Sequence, residues 1–315
     1  MTSSNPDLQK CQRRLNPEEE RSGFFMSRSA FPDLPRPFVL LDTGFGSTAF
    51  ETADGVIVRI GRHPEAAEGH QRERALLPVI ASKLPLKVPQ PEWYALSGSP
   101  GLPFGAIGYR KIEGVSVEEF QRLDQERIAG QLAEFLAVLH ELPTGDVQRA
   151  VGRRDLKAEY ERLQGDVLPT LRERLTEGEF VVIERWWESV LSDPVMESGR
   201  RVLCHRDLWY GNILIDKAIG ELVAVVDWEN AALADPAEDL AVQRYLGGRF
   251  QEAVLGAYRG RGGQVGDTFE LRLDRYWELR EFNGIRHSVE MHDTGELGES
   301  IEKLRRGPIL RSGTA

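Results

Sequence analysis

Two cysteines in 315 residues, Cys11 and Cys204, cannot build a disulfide framework, and a reducing compartment suits them. Long apolar runs are missing as well, and no stretch of about eighteen apolar residues offers itself as a membrane span. The opening Met1-Thr2-Ser3-Ser4-Asn5-Pro6 lacks the apolar core of a secretory signal, so a cytoplasmic protein with no membrane partner is expected. Positive charge is in deficit: 40 Lys and Arg stand against 50 Asp and Glu, a net charge of −10. Such a surface repels nucleic-acid phosphates and disfavours a nucleic-acid partner, so none is expected, while it remains compatible with a cationic small molecule. Internal repeats and low-complexity segments are absent too. What remains is ordinary globular composition, 41% hydrophobic and 29% charged, in a chain long enough for two compact units sharing a cleft.

The densest chemical signal is Leu203-Cys204-His205-Arg206-Asp207-Leu208-Trp209-Tyr210-Gly211-Asn212, followed fifteen residues after Asn212 by Asp227-Trp228-Glu229. Asp207 offers a carboxylate that can take a proton from a hydroxyl. Asn212 and Asp227 offer oxygen ligands for a hard cation such as Mg²⁺, which suits phosphoryl transfer. The five-residue step from Asp207 to Asn212 is that of the kinase catalytic loop H-R-D-x-x-x-x-N. Between Asn212 and Asp227, two β-branched runs flank a turn at Gly220 and predict a hairpin that returns Asp227 to Asn212. Taken singly, these residues read as turn and strand-end side chains; taken together at this spacing, they read as a site. Zinc ligation by Cys204, His205 and Asp207 ranks last, because no second His or Cys pair at ligand spacing accompanies them.

Upstream, residues 1–27 are polar and predict a tail or a loosely docked helix. Strands are expected at Phe38–Leu41 and Val56–Ile60, with Gly44, Gly46 and Ser47 between them able to let backbone N–H groups approach phosphates. Arg59 ends an apolar strand, and Glu73 lies on the following helical pattern as its partner. Two further strands, around Trp93–Leu96 and Phe104–Tyr109, lead to a polar segment where Arg110 and Ile112 are candidates to meet a nucleotide base. A lobe boundary is placed there, giving 28–112 and 113–315. Val117–Leu142 reads as helical, with Ile128, Leu132, Phe135, Leu136 and Leu139 on one stripe. Asp235 before Pro236 reads as a helix cap, with a second possible use in bracing the Asp207 loop. Acidic candidates to hold a cationic acceptor are Glu238, Asp274, Glu278 and Glu281, with Tyr276 and Trp277 beside them.

On these residues the chain resembles the aminoglycoside phosphotransferase family, over roughly Phe31 to Leu310. The resemblance implies an α+β, two-lobed, protein-kinase-like fold with a small β-rich N-lobe and a larger helical C-lobe. It implies Asp207 as catalytic base, Asn212 and Asp227 as Mg²⁺ ligands, and Gly44 to Ser47 over the phosphates of ATP or GTP. Two departures stand out: Arg59 replaces the lysine of many relatives, and the glycine loop is shorter than G-x-G-x-x-G. Only seven residues separate Asp227 from Asp235, too few for a polypeptide-docking activation loop, and no A-P-E follows. The expected activity is transfer of a γ-phosphate to a hydroxyl of an antibiotic. A metabolic kinase of an amino alcohol or sugar and a catalytically silent nucleotide-binding protein are the alternatives.

Overall fold

The computed structural model describes residues 31–44, 46–120 and 123–312. The tail read at 1–27, with Cys11, lies outside the described residues. Five strands open the fold: β1 (Phe38–Thr43), β2 (Ser47–Thr52), β3 (Val56–Gly61), β4 (Pro91–Ala95) and β5 (Ala106–Arg110). They form one antiparallel sheet in the order β1-β2-β3-β5-β4. Alternation along β2 and β3 puts Phe50, Val56, Val58 and Ile60 into a compact core with Phe31, Leu34, Phe38, Leu102 and Ala106. Helix α1 (Pro64–Ile80) crosses between β3 and β4, opening with Pro64 in its first turn, where the missing N–H costs nothing.

After β5 the chain becomes helical. The helix expected over Val117–Leu142 begins later, as α2 (Gln125–His140), because Val115–Ser116 is taken up as strand β6, paired with Leu214 and Ile215, and Val117–Glu119 makes a 3₁₀ turn. Asp124 then caps α2 by accepting the Arg127 N–H. The predicted stripe of Ile128, Leu132, Phe135, Leu136 and Leu139 is buried. Helices α3 (Thr144–Val151), α4 (Leu156–Arg174) and α5 (Glu177–Ser192) follow, the last started by a Thr176/Glu179 capping box.

Strand β7 (Val202–Cys204) leads into the Asp207 loop, and β8 (Ile213–Ile215) with β9 (Leu222–Val225) forms the expected hairpin beside β6. Strand β10 (Ala232–Ala234) pairs back onto β7. Helices α6 (Ala237–Ala241), α7 (Gly248–Gly260), α8 (Phe269–Glu290), α9 (Thr294–Arg306) and α10 (Pro308–Ser312) complete the larger lobe. The architecture is the α+β, two-lobed arrangement anticipated, with β10-β7 and β6-β8-β9 as two small sheets separate from the first. No helix among the described residues is long and apolar enough to cross a membrane.

Candidate active site

Strand β7 delivers His205-Arg206-Asp207 from the core, and the backbone then turns sharply at Arg206, whose φ is +66°. A non-glycine residue in that region carries strain, so surrounding contacts must hold it. Asp239 on α6 does so: its Oδ2 accepts the His205 N–H at 2.9 Å and its Oδ1 the Arg206 N–H at 2.7 Å. The Arg206 guanidinium is buried and donates to Glu238 at 2.7 Å and Glu159 at 3.1 Å. Bracing of the loop therefore falls to Asp239 rather than to Asp235. Asp235 instead accepts the Ala237 N–H at 3.0 Å as a cap and pairs with the buried Arg272.

His205 is spoken for on both ring nitrogens. Nδ1 accepts the Asp207 N–H at 3.2 Å, so Nε2 carries the proton and donates to the Val226 carbonyl at 3.0 Å. Burial lowers its pKa, so the ring stays neutral in this role. It orients the loop, with no nitrogen left for a metal. Cys204 is buried beside His140 and Asp239. There the His140 Nε2–H donates to Asp239 at 3.3 Å, and the Tyr258 hydroxyl lies 3.0 Å from His140 Nδ1.

Asn212 closes the loop: its Nδ2 donates at 2.9 Å to both the Asp207 carbonyl and the Asp207 Oδ2. The amide oxygen is thereby turned away from Asp207. The Val226 N–H donates to the Asn212 carbonyl at 2.9 Å, which brings the end of β9, and with it Asp227, alongside Asn212. Asp227 is the second non-glycine residue at φ +66°, and its side chain is 36% exposed toward the cleft.

Arg59 reaches this point from the opposite lobe. Its Nη1 donates to Glu73 Oε1 at 2.8 Å and Oε2 at 3.0 Å; its Nη2 donates to Asp227 at 2.8 Å and Glu229 at 2.7 Å. Burial opposes the cation, but Asp227, Glu73 and Glu229 outweigh it and hold its pKa well above the ordinary guanidinium value. Glu73, 1% exposed, also accepts the Trp228 N–H at 2.7 Å, so it fixes both the cation and the turn that presents Asp227. Burial, then the neighbouring Asp227, push Glu229 up to about 8. Burial raises Glu73 as well, against the pull of Arg59. One guanidinium facing three carboxylates, with Asn212 adjoining, is an oxygen-rich donor set with negative charge to spare.

The glycine turn abuts the same cluster. A Cβ on Gly46 would run into the Glu229 carboxylate, which would have to move off Arg59 to make room, so glycine suits the close approach of the turn to this cluster. The Gly44 N–H donates to the Ser47 carbonyl at 3.0 Å, closing the turn. Ser47 points its hydroxyl inward, 2.9 Å from His70 Nε2 on α1. Burial, then Arg59, lower His70 to about 3, so it is neutral. Arg110 is not brought to the cluster: it sits at the far end of β5, its guanidinium 5.0 Å from the centre of the Trp93 ring and 3.0 Å from Asp54. The Lys111 N–H is taken by the Gly55 carbonyl at 2.8 Å, and Ile112 follows half-buried in the connection to β6.

A model of the phosphotransferase enzyme family (APH) matches residues 40–273. The chain belongs to the phosphotransferase enzyme family. Its similarities run through the whole fold. The GDP and kanamycin complex of APH(2")-IIia superposes with a TM-score of 0.76 at 23% identity, over 90% of this chain and 96% of that one. The macrolide 2'-phosphotransferase MphH from Brachybacterium faecium does so with a TM-score of 0.64 at 20% identity, over 90% and 98%. The uncharacterized protein YcbJ of Bacillus subtilis (strain 168) is 25% identical over 219 residues, 66% of this chain and 69% of its own length. The fork of the Arg59 guanidinium sets Asp227 and Glu229 on one nitrogen while the other holds Glu73.

Three residues of this site escaped the sequence reading or were left open by it. Glu229, quoted in the sequence only as the residue two after Asp227, points inward onto Arg59. Asp239 had no assigned task. Tyr109, named only as the edge of a base-reading segment, is buried in the field of Arg59 and Glu73. The sole signal for Glu229 was its two-residue offset from Asp227, which is not specific by itself.

Proposed function

We propose that this phosphotransferase moves the γ-phosphate of ATP or GTP to a hydroxyl of a small molecule, an antibiotic first among candidates. The observation that carries the reading is the shared Asn212: one side of its amide bonds the Asp207 carboxylate, and its backbone carbonyl anchors the strand end that presents Asp227. Proton acceptance and charge neutralisation are thus held a few ångströms apart, as in-line phosphoryl transfer needs. The antibiotics in the names of neighbouring structures, kanamycin and macrolides, support the choice of acceptor class.

In this reading Asp207 aligns the acceptor hydroxyl and takes its proton as the new bond to phosphorus forms. Asn212 Oδ1 and Asp227 would hold Mg²⁺, and the three carboxylates facing one guanidinium fit a divalent cation. When bound, the ion supplies charge neutralisation on the transferring group. Arg59 orients Asp227 and stands where the phosphates would approach under the Gly44–Ser47 turn. His205 holds the loop neutral and does not move a proton. The connection at Arg110 to Ile112 would border the base through backbone groups.

Phosphate transfer from ATP and GTP, assayed with Mg²⁺ over hydroxylated antibiotics, amino alcohols and sugars, tests the reading. Asp207→Ala is expected to lower kcat by about 10²–10⁴-fold, the range for a general base, with nucleotide affinity retained. Asp227→Ala is expected to weaken Mg²⁺-dependent nucleotide binding instead. Transfer by Asp207→Ala at the wild-type rate removes the base assignment, and turnover only with metabolites moves the acceptor to the amino alcohol or sugar class.

A further inference from the structure

The residues that follow Asp227 are held, one after another, by side chains from elsewhere in the fold. Glu73 accepts the Trp228 N–H at 2.7 Å. Arg72, its neighbour on α1, donates to the Glu229 carbonyl. Arg154, in the connection between α3 and α4, donates from Nη1 to the Asn230 carbonyl at 2.9 Å. Asp227 sits at φ +66°, so the turn that presents it depends on such contacts for its shape.

From Arg154 the contacts continue into the Asp207 loop. Arg154 meets Glu159 of α4 fork to fork, Nε on Oε1 at 2.6 Å and Nη2 on Oε2 at 2.9 Å. The same Oε2 accepts from Arg206 Nη1 at 3.1 Å, and Arg206 is the residue before Asp207. Burial opposes the Glu159 charge, but Arg206 and then Arg154 outweigh it and hold its carboxyl below the usual range. One ionised carboxylate is thus shared between the arginine that precedes the base and the arginine that holds the turn after the metal ligand. The Glu159 side chain is 18% exposed and that of Arg206 9%, so water screens the pair only in part. A fully exposed pair contributes little, whereas a shielded, bidentate one fixes geometry as well as charge.

Resting on the phosphotransferase reading above, we propose that Glu159 is a positioning residue: through Arg154 and Arg206 it sets the Asp227 turn, relative to the Asp207 loop, where Asp227 can hold the cation of a bound nucleotide. Asn212 joins the two aspartates through its amide and its backbone carbonyl. Glu159 joins the segments that carry them, from a different helix and by charge. Without it the turn keeps its bonds to α1 and loses its tie to the loop.

The test uses the full-length protein with ATP and GTP, whose affinities are measured by calorimetry in Mg²⁺ and in EDTA. The ratio of the two affinities reports Asp227 and the cation; the affinity in EDTA reports the rest of the nucleotide site. Glu159→Gln keeps the length and one acceptor oxygen, enough for one arginine and not for both. It is expected to cut the Mg²⁺ enhancement about tenfold, the low end for groups that orient a metal ligand, with the affinity in EDTA unchanged. Arg154→Lys keeps the cation without the fork, so it cannot serve Glu159 and the Asn230 carbonyl together, and the same split is expected. It carries the test if urea denaturation shows that Glu159→Gln does not fold. The double variant should lose no more than the worse single one, because both break one bridge. An intact Mg²⁺ enhancement in either folded variant overturns the proposal, as do losses that add in the double variant or that appear equally in EDTA. Those outcomes leave the phosphotransferase reading standing. A wild-type affinity indifferent to Mg²⁺ removes Asp227 as a ligand and this proposal with it, whereas failure to bind either nucleotide removes the phosphotransferase reading as well.

Discussion

The Arg59 guanidinium spans the junction between the lobes, and its position decides what each carboxylate around it can do. Arg59 satisfies Glu73 with one nitrogen and Asp227 with Glu229 on the other. Burial, then the neighbouring Asp227, drive Glu229 from its ordinary 4.5 to about 8. Such a group binds more protons when folded than when unfolded, so its contribution to stability is complete below about pH 4.5 and is lost as pH rises toward 8. The nucleotide-free protein should therefore lose stability across that window, with a slope from this group of at most about 1.4 kcal/mol per pH unit. Glu229→Gln keeps the shape and removes the titration. Urea midpoints taken at intervals from about pH 5 to pH 8 should fall less steeply in the variant; parallel curves would place the titration elsewhere.

At the scale of elements, the Asp207 loop is closed from within by Asn212 and held from outside by α6. Asp239 takes two loop N–H groups and the His140 imidazole, and these bonds, against the burial that opposes them, keep its carboxyl below the usual range. Asp239→Asn replaces one accepting oxygen by an NH₂ facing an N–H donor. The expected cost is about 2–3 kcal/mol of stability, read by chemical denaturation, and a fall in kcat larger than any change in nucleotide affinity. A variant with wild-type kcat would show that the loop holds its shape unaided. What the sequence disclosed follows the same division. Asp207, Asn212 and Asp227 were legible because a loop and a hairpin of short contour bring them together, and Arg59 with Glu73 because strand and helix are consecutive. Asp239 was illegible as the brace, and Asp235 was the nearer guess, because the choice between them depends on how α6 lies across β7. The ion pair of Asp274 with Arg244 was hidden for a related reason: helical periodicity tells which side of α8 a residue occupies, not that an arginine of the 3₁₀ turn Val242–Leu246 arrives opposite it.

Among the described residues of the whole molecule, the buried apolar side chains gather into a small cluster in the first sheet, a large one in the helical lobe and a minor one around Leu156, Val202, Cys204 and Ala234. The first sheet packs on its own small cluster, but the apolar face of α1, with Leu76, Leu77 and Ile80, belongs to the large cluster of the helical lobe. Glu73 therefore rides on an element anchored below the cleft, while Arg59 hangs from the sheet above it. Besides that ion pair, the backbone of Lys87 stitches the connection to β9, donating to Val223 and accepting from Val225, both at 3.0 Å. The sheet can thus loosen without unfolding α1, and the two units should be separable by hydrogen exchange. Leu77→Ala, at a fully buried position, is expected to cost about 2–5 kcal/mol and to lower protection through α1 and the helical lobe together. Phe50→Leu, 2% exposed in the small cluster, should lower protection in β1 to β5 and leave the helices as they were. If Phe50→Leu instead deprotects α1 to the same extent, the cleft does not divide the molecule energetically. Arg59 would then be a strut inside one cooperative body rather than a tie between two, and closing the sheet over a nucleotide would require the helical lobe to move with it.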